Sequence, residues 1–378
     1  MRIASDFLSR HAYTLTCWLV WLAFILAPSL DPHRIGLGWT AAIALGVFAA
    51  MLGCVFTVVR HADHLADILG EPLGTLVLTL SATAIEVSLM LMIMLTGQQN
   101  PTLLRDTVFA TLMVLLNGLV GLSLAAGGWR HLEQEFNLRG ALSFLHLIAP
   151  LSLVLLVMPN YSRSSAGHTL APQQEGFLGA LCVLVYAGFL LLQTGRHRSL
   201  FDHPFNTQQN GFDDNLGEKP VHKLPAGPGD IARSAAGLLL SVVPIVLLAE
   251  HLGGFIDFGI ETLHAPGALG GLVVSGLVLA PEGLGALRAA LANRMQRAVN
   301  ICLGSALSTI ALTVPTVLIA ASLSNHTLEL GLEGIDPTLL YASLLVLLIT
   351  LVSGRATILQ GQAHLMLFVA YLFFIFYP

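Results

Sequence analysis

Apolar residues occur along this chain in runs of about 20, the length that crosses a bilayer as a helix, and polar residues fall between the runs rather than alternating with them. A window of about 19 residues predicts eleven helices, near 13–30, 37–59, 73–96, 107–126, 141–158, 176–194, 232–250, 267–290, 298–323, 338–353 and 362–377. Their apolar positions run all round each helix, as expected where lipid or other helices surround it. One long polar interval, 195–231, holds Asp213, Asp214, Glu218, Pro220, Pro225 and Pro228. It has no apolar period of its own and reads as a linker. Arg2 and Arg10 precede the first run, but no small-x-small cleavage site follows, and 28–32 reads as a helix-ending turn. The first run is therefore expected to be a retained helix and not a signal peptide.

Charge then orients the spans. Only 10% of the 378 residues are charged, 22 acidic and 17 basic, against roughly 25% in an ordinary globular domain. With the N-terminus inside, Arg2, Arg10, Arg60, Arg130, Arg139, Arg196, Arg198, Lys219, Lys223, Arg233, Arg288, Arg294, Arg297 and Arg355 fall on inner segments. Only Arg34, Arg105 and Arg163 fall outside, a split of 14 to 3 that a missed or invented helix would scramble. The expected fold is an all-α polytopic membrane protein of eleven spans, N-terminus cytoplasmic and C-terminus periplasmic, in a bacterial inner membrane. Lipid is its expected surround. The net charge of −5 leaves no basic footprint for nucleic acid. Cys17, Cys54, Cys182 and Cys302 each lie in an apolar run and read as core residues, neither a disulfide framework nor a metal knuckle. Oligomeric state leaves no mark on the sequence.

Two pieces of the chain echo each other. Ala62-Asp63-His64-Leu65 ends the second span and Ala249-Glu250-His251-Leu252 the seventh. Each precedes a span that carries one acid deep in its apolar stretch, Glu86 in Leu80-Ser81-Ala82-Thr83-Ala84-Ile85-Glu86 and Glu282 in Gly276-Leu277-Val278-Leu279-Ala280-Pro281-Glu282. The spans after these hold small, polar patches, Asn117-Gly118 to Gly121 and Gly304-Ser305 to Ser308-Thr309. Spans two to six thus repeat as seven to eleven. Five is odd, so the copies enter the membrane from opposite sides, an inverted repeat of the kind that sets a substrate site near the midplane. The expected organisation is an N-terminal helix over 1–36, five-helix repeats over 37–194 and 232–378, and a cytoplasmic linker over 195–231.

A charge at the centre of a span costs about 2.5–3.5 kcal/mol on insertion scales, so such residues mark functional sites. Hard cations take oxygen ligands, and calcium takes six to eight of them from carboxylates, carbonyls and water. Glu86 and Glu282 together neutralise one divalent ion. Pro281 has no N–H, which frees the Leu277 carbonyl as a ligand. Ser81, Thr83, Asn117, Ser305 and Ser308 are further candidate ligands, with helix–helix hydrogen bonding as the other reading of each. Two carboxylates about 5 Å apart at an effective dielectric of 20 repel by about 3 kcal/mol. A proton on one of them or a cation between them relieves that repulsion. Occupancy of one or the other, never both, is antiport.

Asp63 and Glu250 stand at related positions near opposite faces, either relaying protons and guarding the cavity mouths or simply solvated. His61, Asp63, His64 and Asp67 have the look of a surface metal cluster but fall in an expected loop, and His146, His251 and His364 read as packed residues.

These motifs resemble the calcium/cation antiporter superfamily in its cation/proton exchanger branch, on the side of the bacterial sodium(potassium)–calcium/proton antiporters. The stretch from Gly70-Glu71-Pro72-Leu73-Gly74-Thr75 through Glu86-Val87-Ser88-Leu89 is similar to the first signature region, and Ala280-Pro281-Glu282-Gly283 through Asn293 to the second. Asn300 to Pro315 is similar to the helix that pairs with the second signature. The resemblance implies that Glu86 and Glu282 are the paired cation-binding glutamates and that Glu250 is the acid at the second-half entrance. It also implies a secondary transporter without a cofactor, carrying calcium and sodium or potassium against protons. Many relatives place Gly-Asn shortly before each glutamate; here Thr83 and Leu279 stand three residues before, and Gly283 follows where His is frequent. Fewer amide ligands imply a site that admits sodium or potassium beside calcium. The alternatives are an intramembrane metal enzyme, for which no span holds His-Glu-x-x-His, and a cation channel, which favours a ring of subunits and a filter loop.

Overall fold

The computed structural model describes residues 2–27, 35–69, 73–96, 101–164, 169–194, 200–201, 228–324 and 327–377. Eleven helices occupy the eleven predicted runs among these residues. They are α1 (Arg2–Leu26), α2 (Leu37–Leu69), α3 (Leu73–Thr96), α4 (Leu103–His131), α5 (Leu138–Leu156), α6 (Pro172–Thr194), α7 (Pro228–Leu263), α8 (Ala268–Leu291), α9 (Met295–Leu323), α10 (Asp336–Val352) and α11 (Ile358–Phe376). Eight of the described helices are long and apolar enough to cross a membrane, and α1, α3 and α10 supply shorter apolar stretches. The chain is a multi-pass membrane protein. The expected linker over 195–231 lies outside the described residues except at 200–201 and 228–231.

Two helices overrun their predicted ends. α2 and α7 have 33 and 36 residues, so the Asp63 and Glu250 tetrads lie within helices and not at loop edges. The cause is local. No proline follows Leu37 until Pro72, nor Pro244 until Pro266, and charged residues extend a helix past the apolar slab as readily as they end it.

The packing divides into two compact units, Met1–Asn100 with Pro220–Pro281, and Pro101–Lys219 with Glu282–Pro378. In the first, α2 and α7 lie against each other, and Met51, Cys54, Val58, Ile245, Leu248 and Ala249 on these helices are fully buried. α1 docks on both with polar contacts that lipid could not supply. Thr14 Oγ1 lies 2.8 Å from Ser241 Oγ, Trp18 Nε1 donates to the Leu240 carbonyl at 3.1 Å, and the Cys17 thiol donates to the Ala50 carbonyl at 3.1 Å. Cys54 donates to the Ser241 carbonyl at 3.2 Å. The four cysteines are buried thiols.

In the second unit, α4 and α9 each contain a π turn, Val114–Leu119 and Thr309–Thr313. The second immediately precedes Pro315, whose missing N–H leaves the Ala311 carbonyl without its α-helical donor, so the local pitch widens. α11 lies along α4 where glycines let the backbones approach. A Cβ at Gly121 would stand 3.0 Å from the Leu365 nitrogen, one at Gly128 2.5 Å from the Ile358 nitrogen, and one at Gly361 would strike the Ala125 nitrogen. Segments expected on the same side meet. The two-residue strands β1 (Gln134–Glu135) and β2 (Arg355–Ala356) pair antiparallel, with Arg355 3.1 Å from Glu133. At the other end, Glu329 N donates to the Pro101 carbonyl at 2.8 Å, and Arg105 Nη1 to the Gly331 carbonyl at 3.0 Å.

The α4–α11 contact yields a direct test. Gly361→Val drives a branched side chain into the α4 backbone, a strain of about 1–3 kcal/mol or more. The variant is expected to melt several degrees below the parent by fluorescence-detected gel filtration; an unchanged midpoint contradicts the close approach.

Candidate functional site

Glu86 and Thr83 lie three residues apart on α3 and therefore on one face of it. Glu86 is 6% exposed and Thr83 8%, in the company of Ile85, Leu89 and Met90, all buried. The Thr83 hydroxyl oxygen is buried with no hydrogen-bond partner among the described residues. A buried orphan hydroxyl costs about 1–3 kcal/mol, which makes one beside a buried carboxylate notable. Ser81, one turn nearer the start of α3, donates back to the Val77 carbonyl at 2.6 Å. Its oxygen keeps acceptor capacity.

Glu282 is the first residue of the second unit and follows Pro281 within α8. Pro281 deprives the buried Leu277 carbonyl of its α-helical donor. The Glu282 carboxylate is half-buried with its Oε2 shielded, and the buried Cys302 of α9 lies within its field. Gly283 packs on the π turn of α4, since a Cβ there would stand 2.9 Å from Leu119 Cδ2. One turn before Glu282 stands Leu279, 3% exposed, an apolar counterpart to Thr83. The two carboxylates thus have unlike neighbours on their own helices.

The remaining predicted residues divide clearly. Asn117 is fully buried in the π turn of α4, where its amide nitrogen donates to Ser343 Oγ at 2.7 Å and its oxygen faces His364 Nδ1 at 3.3 Å. Ser308 Oγ donates to the Ser305 carbonyl at 2.9 Å, and both lie on the turn of α9 leading into its π turn. Asp63 and Glu250 are exposed on α2 and α7. Among the described residues no three His, Cys, Asp or Glu side chains gather as a metal cluster, the 61–67 stretch included.

Two features escaped sequence reading. One is the buried set Asn117, Ser343, Thr350 and His364, whose only outward signal is a histidine near the start of the last span. The other is a pair of caps on the C-terminal end of α8. His131 Nε2 lies 3.0 Å from the Leu291 carbonyl, and Gln134 Nε2 donates to the Ala290 carbonyl at 2.8 Å and to Asn293 Oδ1 at 2.9 Å. These satisfy carbonyls that a helix end leaves open, and they hold the helix that carries Glu282.

The profile of a family described as sodium/calcium exchanger protein matches residues 39–195 and 233–377. The sodium-potassium/proton antiporter ChaA of Escherichia coli (strain K12) is 37% identical over 335 residues, covering 89% of each chain. The putative ionic transporter y4hA of Sinorhizobium fredii is 38% identical over 325 residues, 85% of each. The solved structure of native YfkE matches with a TM-score of 0.73 over 97% of this chain and 100% of its own at 15% identity, a likeness of fold. The chain belongs to the sodium/calcium exchanger family, in its cation/proton exchanger branch, and is a secondary transporter and not an enzyme.

Proposed function

We propose that the protein exchanges calcium, and also sodium or potassium, for protons across the bacterial inner membrane by alternating access, with Glu86 and Glu282 holding cation and proton in turn. The observation that carries this reading is Glu86, buried in an apolar helix one turn from the orphan hydroxyl of Thr83. A carboxylate and an unpartnered oxygen on one helix face are hard-cation ligands by chemistry, and a permanently ionised carboxylate there would be costly without a counter-charge. A proton or a cation supplies that counter-charge, and because they compete for the same oxygens their fluxes are coupled. The Leu277 carbonyl, opened by Pro281, adds an oxygen beside Glu282; Ser81, Ser305 and Ser308 are further ligands in this reading, whereas the amide of Asn117 is engaged by His364 and Ser343. Asp63 and Glu250, exposed on α2 and α7, serve as entrance acids that gather cations or pass protons.

The organisation behind the proposal is an extra helix over 1–36, two inverted five-helix repeats over 37–194 and 232–378, and a cytoplasmic linker over 195–231. The N-terminus is cytoplasmic and the C-terminus periplasmic. The two stretches matched by the family profile coincide with the two repeats. α4 and α9, related by this scheme, are both 29 residues long and both carry a π turn. The unlike neighbours Thr83 and Leu279 leave few oxygen donors, which favours admission of monovalent ions beside calcium. The name of the E. coli relative, a sodium-potassium/proton antiporter, agrees with that admission.

Proteoliposomes with an imposed pH gradient test the exchange. Calcium or sodium uptake is expected to collapse with the gradient and to alkalinise the lumen in step as protons leave. Glu86→Gln and Glu282→Gln are each expected to lower the rate by at least about a hundredfold, the loss of a charged ligand worth about 3 kcal/mol. Cation flux without proton movement contradicts antiport, and a fully active Glu282→Gln contradicts the site.

Thr83→Val separates ligand from scaffold. Replacing an orphan hydroxyl with a methyl is expected to leave the cation-free melting midpoint unchanged or higher. The same change is expected to weaken apparent cation affinity by about threefold to tenfold, one lost ligand of about 1 kcal/mol. A lower midpoint with unchanged affinity would make Thr83 structural.

A further inference from the structure

His364 is fully buried on α11, and the hydrogen bonds around it run in one direction only. Ser343 Oγ donates its single proton to the Leu339 carbonyl at 2.7 Å, so its oxygen accepts from Asn117 Nδ2, also at 2.7 Å. Asn117 then presents its carbonyl oxygen to His364 Nδ1 at 3.3 Å, and a carbonyl only accepts, so Nδ1 carries a proton. His364 Nε2 is left to accept from the Thr350 hydroxyl at 3.1 Å. One histidine therefore holds a side chain of the α4 π turn. Phe368, one turn further along α11, packs on Gly118 of that turn.

The set is a brace and not a proton route. It passes through an amide, which does not relay protons readily, and it ends on the Leu339 carbonyl. What it braces is informative. Two residues beyond Asn117, Leu119 packs on Gly283, the neighbour of Glu282. A π turn is an uncommon, locally weak arrangement that recurs at functional positions. Without partners for Asn117, the segment is free to revert to an ordinary α turn, and that change of register would withdraw Leu119 from Gly283.

We propose that His364 is a positioning residue for exchange, fixing through Asn117 the π turn against which the Glu282 segment packs. The inference rests on the reading of Glu282 as a cation carrier. The His364→Leu variant keeps volume and removes both hydrogen bonds. It is expected to weaken apparent cation affinity about tenfold, the loss of roughly one buried hydrogen bond, and to speed amide hydrogen exchange over 114–119. His364→Asn keeps a donor near the Nδ1 position and is expected to recover most of both, whereas His364→Gln places its donor at the wrong end and is not. His364→Leu and Asn117→Leu together are expected to cost no more than the worse one alone, as for residues acting as a unit.

Wild-type affinity in His364→Leu, additive losses in the double variant, or equal damage from Asn and Gln would each overturn the proposal. If His364→Leu does not yield folded protein by gel filtration, the Asn and Gln pair decides it alone. An inert wild type in the same liposomes would sink the transport reading, while the amide-exchange comparison would still decide whether His364 holds the turn.

Discussion

In hydrocarbon no water completes a hydrogen bond, and the structure of this protein follows from how each polar group is satisfied without it. The backbone satisfies itself by becoming helix almost everywhere. Where a helix must depart from regular pitch, a specific partner appears. The ring of His364 serves Asn117 in the α4 π turn, and His131 and Gln134 cap the C-terminal end of α8. Even α1 is held by hydroxyl, indole and thiol contacts to α2 and α7. The Thr83 hydroxyl is one of the few buried polar atoms without a partner among the described residues, and it lies on the same helix face as Glu86.

The same constraint explains how far the sequence could be read. Span number and position were legible because an apolar run of bilayer length has few alternatives, and all eleven predicted runs are helical among the described residues. The extensions of α2 to Leu69 and α7 to Leu263 were not legible, since hydropathy marks where a helix leaves the apolar slab and not where it stops being helical. Glu86 and Glu282 were visible because charge is so scarce in their spans. Pro281 likewise announced a freed carbonyl through the chemistry of one residue. The brace around Asn117 was invisible. It joins positions more than two hundred residues apart, and nothing local in His364 tells a packed histidine from one that supports a π turn.

The two carboxylates are related by sequence but not by surroundings. Glu86 has a hydroxyl one turn away and Glu282 a leucine, a proline-opened carbonyl and a nearby thiol. Unequal donor sets give two acids unequal preference for proton and cation, which suits a carrier that must surrender its ion on the far side. Stronger and more symmetric ligation would deepen the bound state without helping release. In the proposed scheme the departure of Thr83 and Leu279 from amide ligands bears on which ions are carried, while the paired glutamates bear on the coupling itself.

The central claim is that cation and proton displace each other on Glu86 and Glu282. The most direct measurement is proton release when calcium or sodium is added to the purified protein in weakly buffered detergent solution, followed with a pH-sensitive dye. The account predicts a burst of protons that saturates with the bound cation and is absent from the Glu86→Gln, Glu282→Gln double variant. Cation binding that releases no protons, or a release that survives in the double variant, would contradict it.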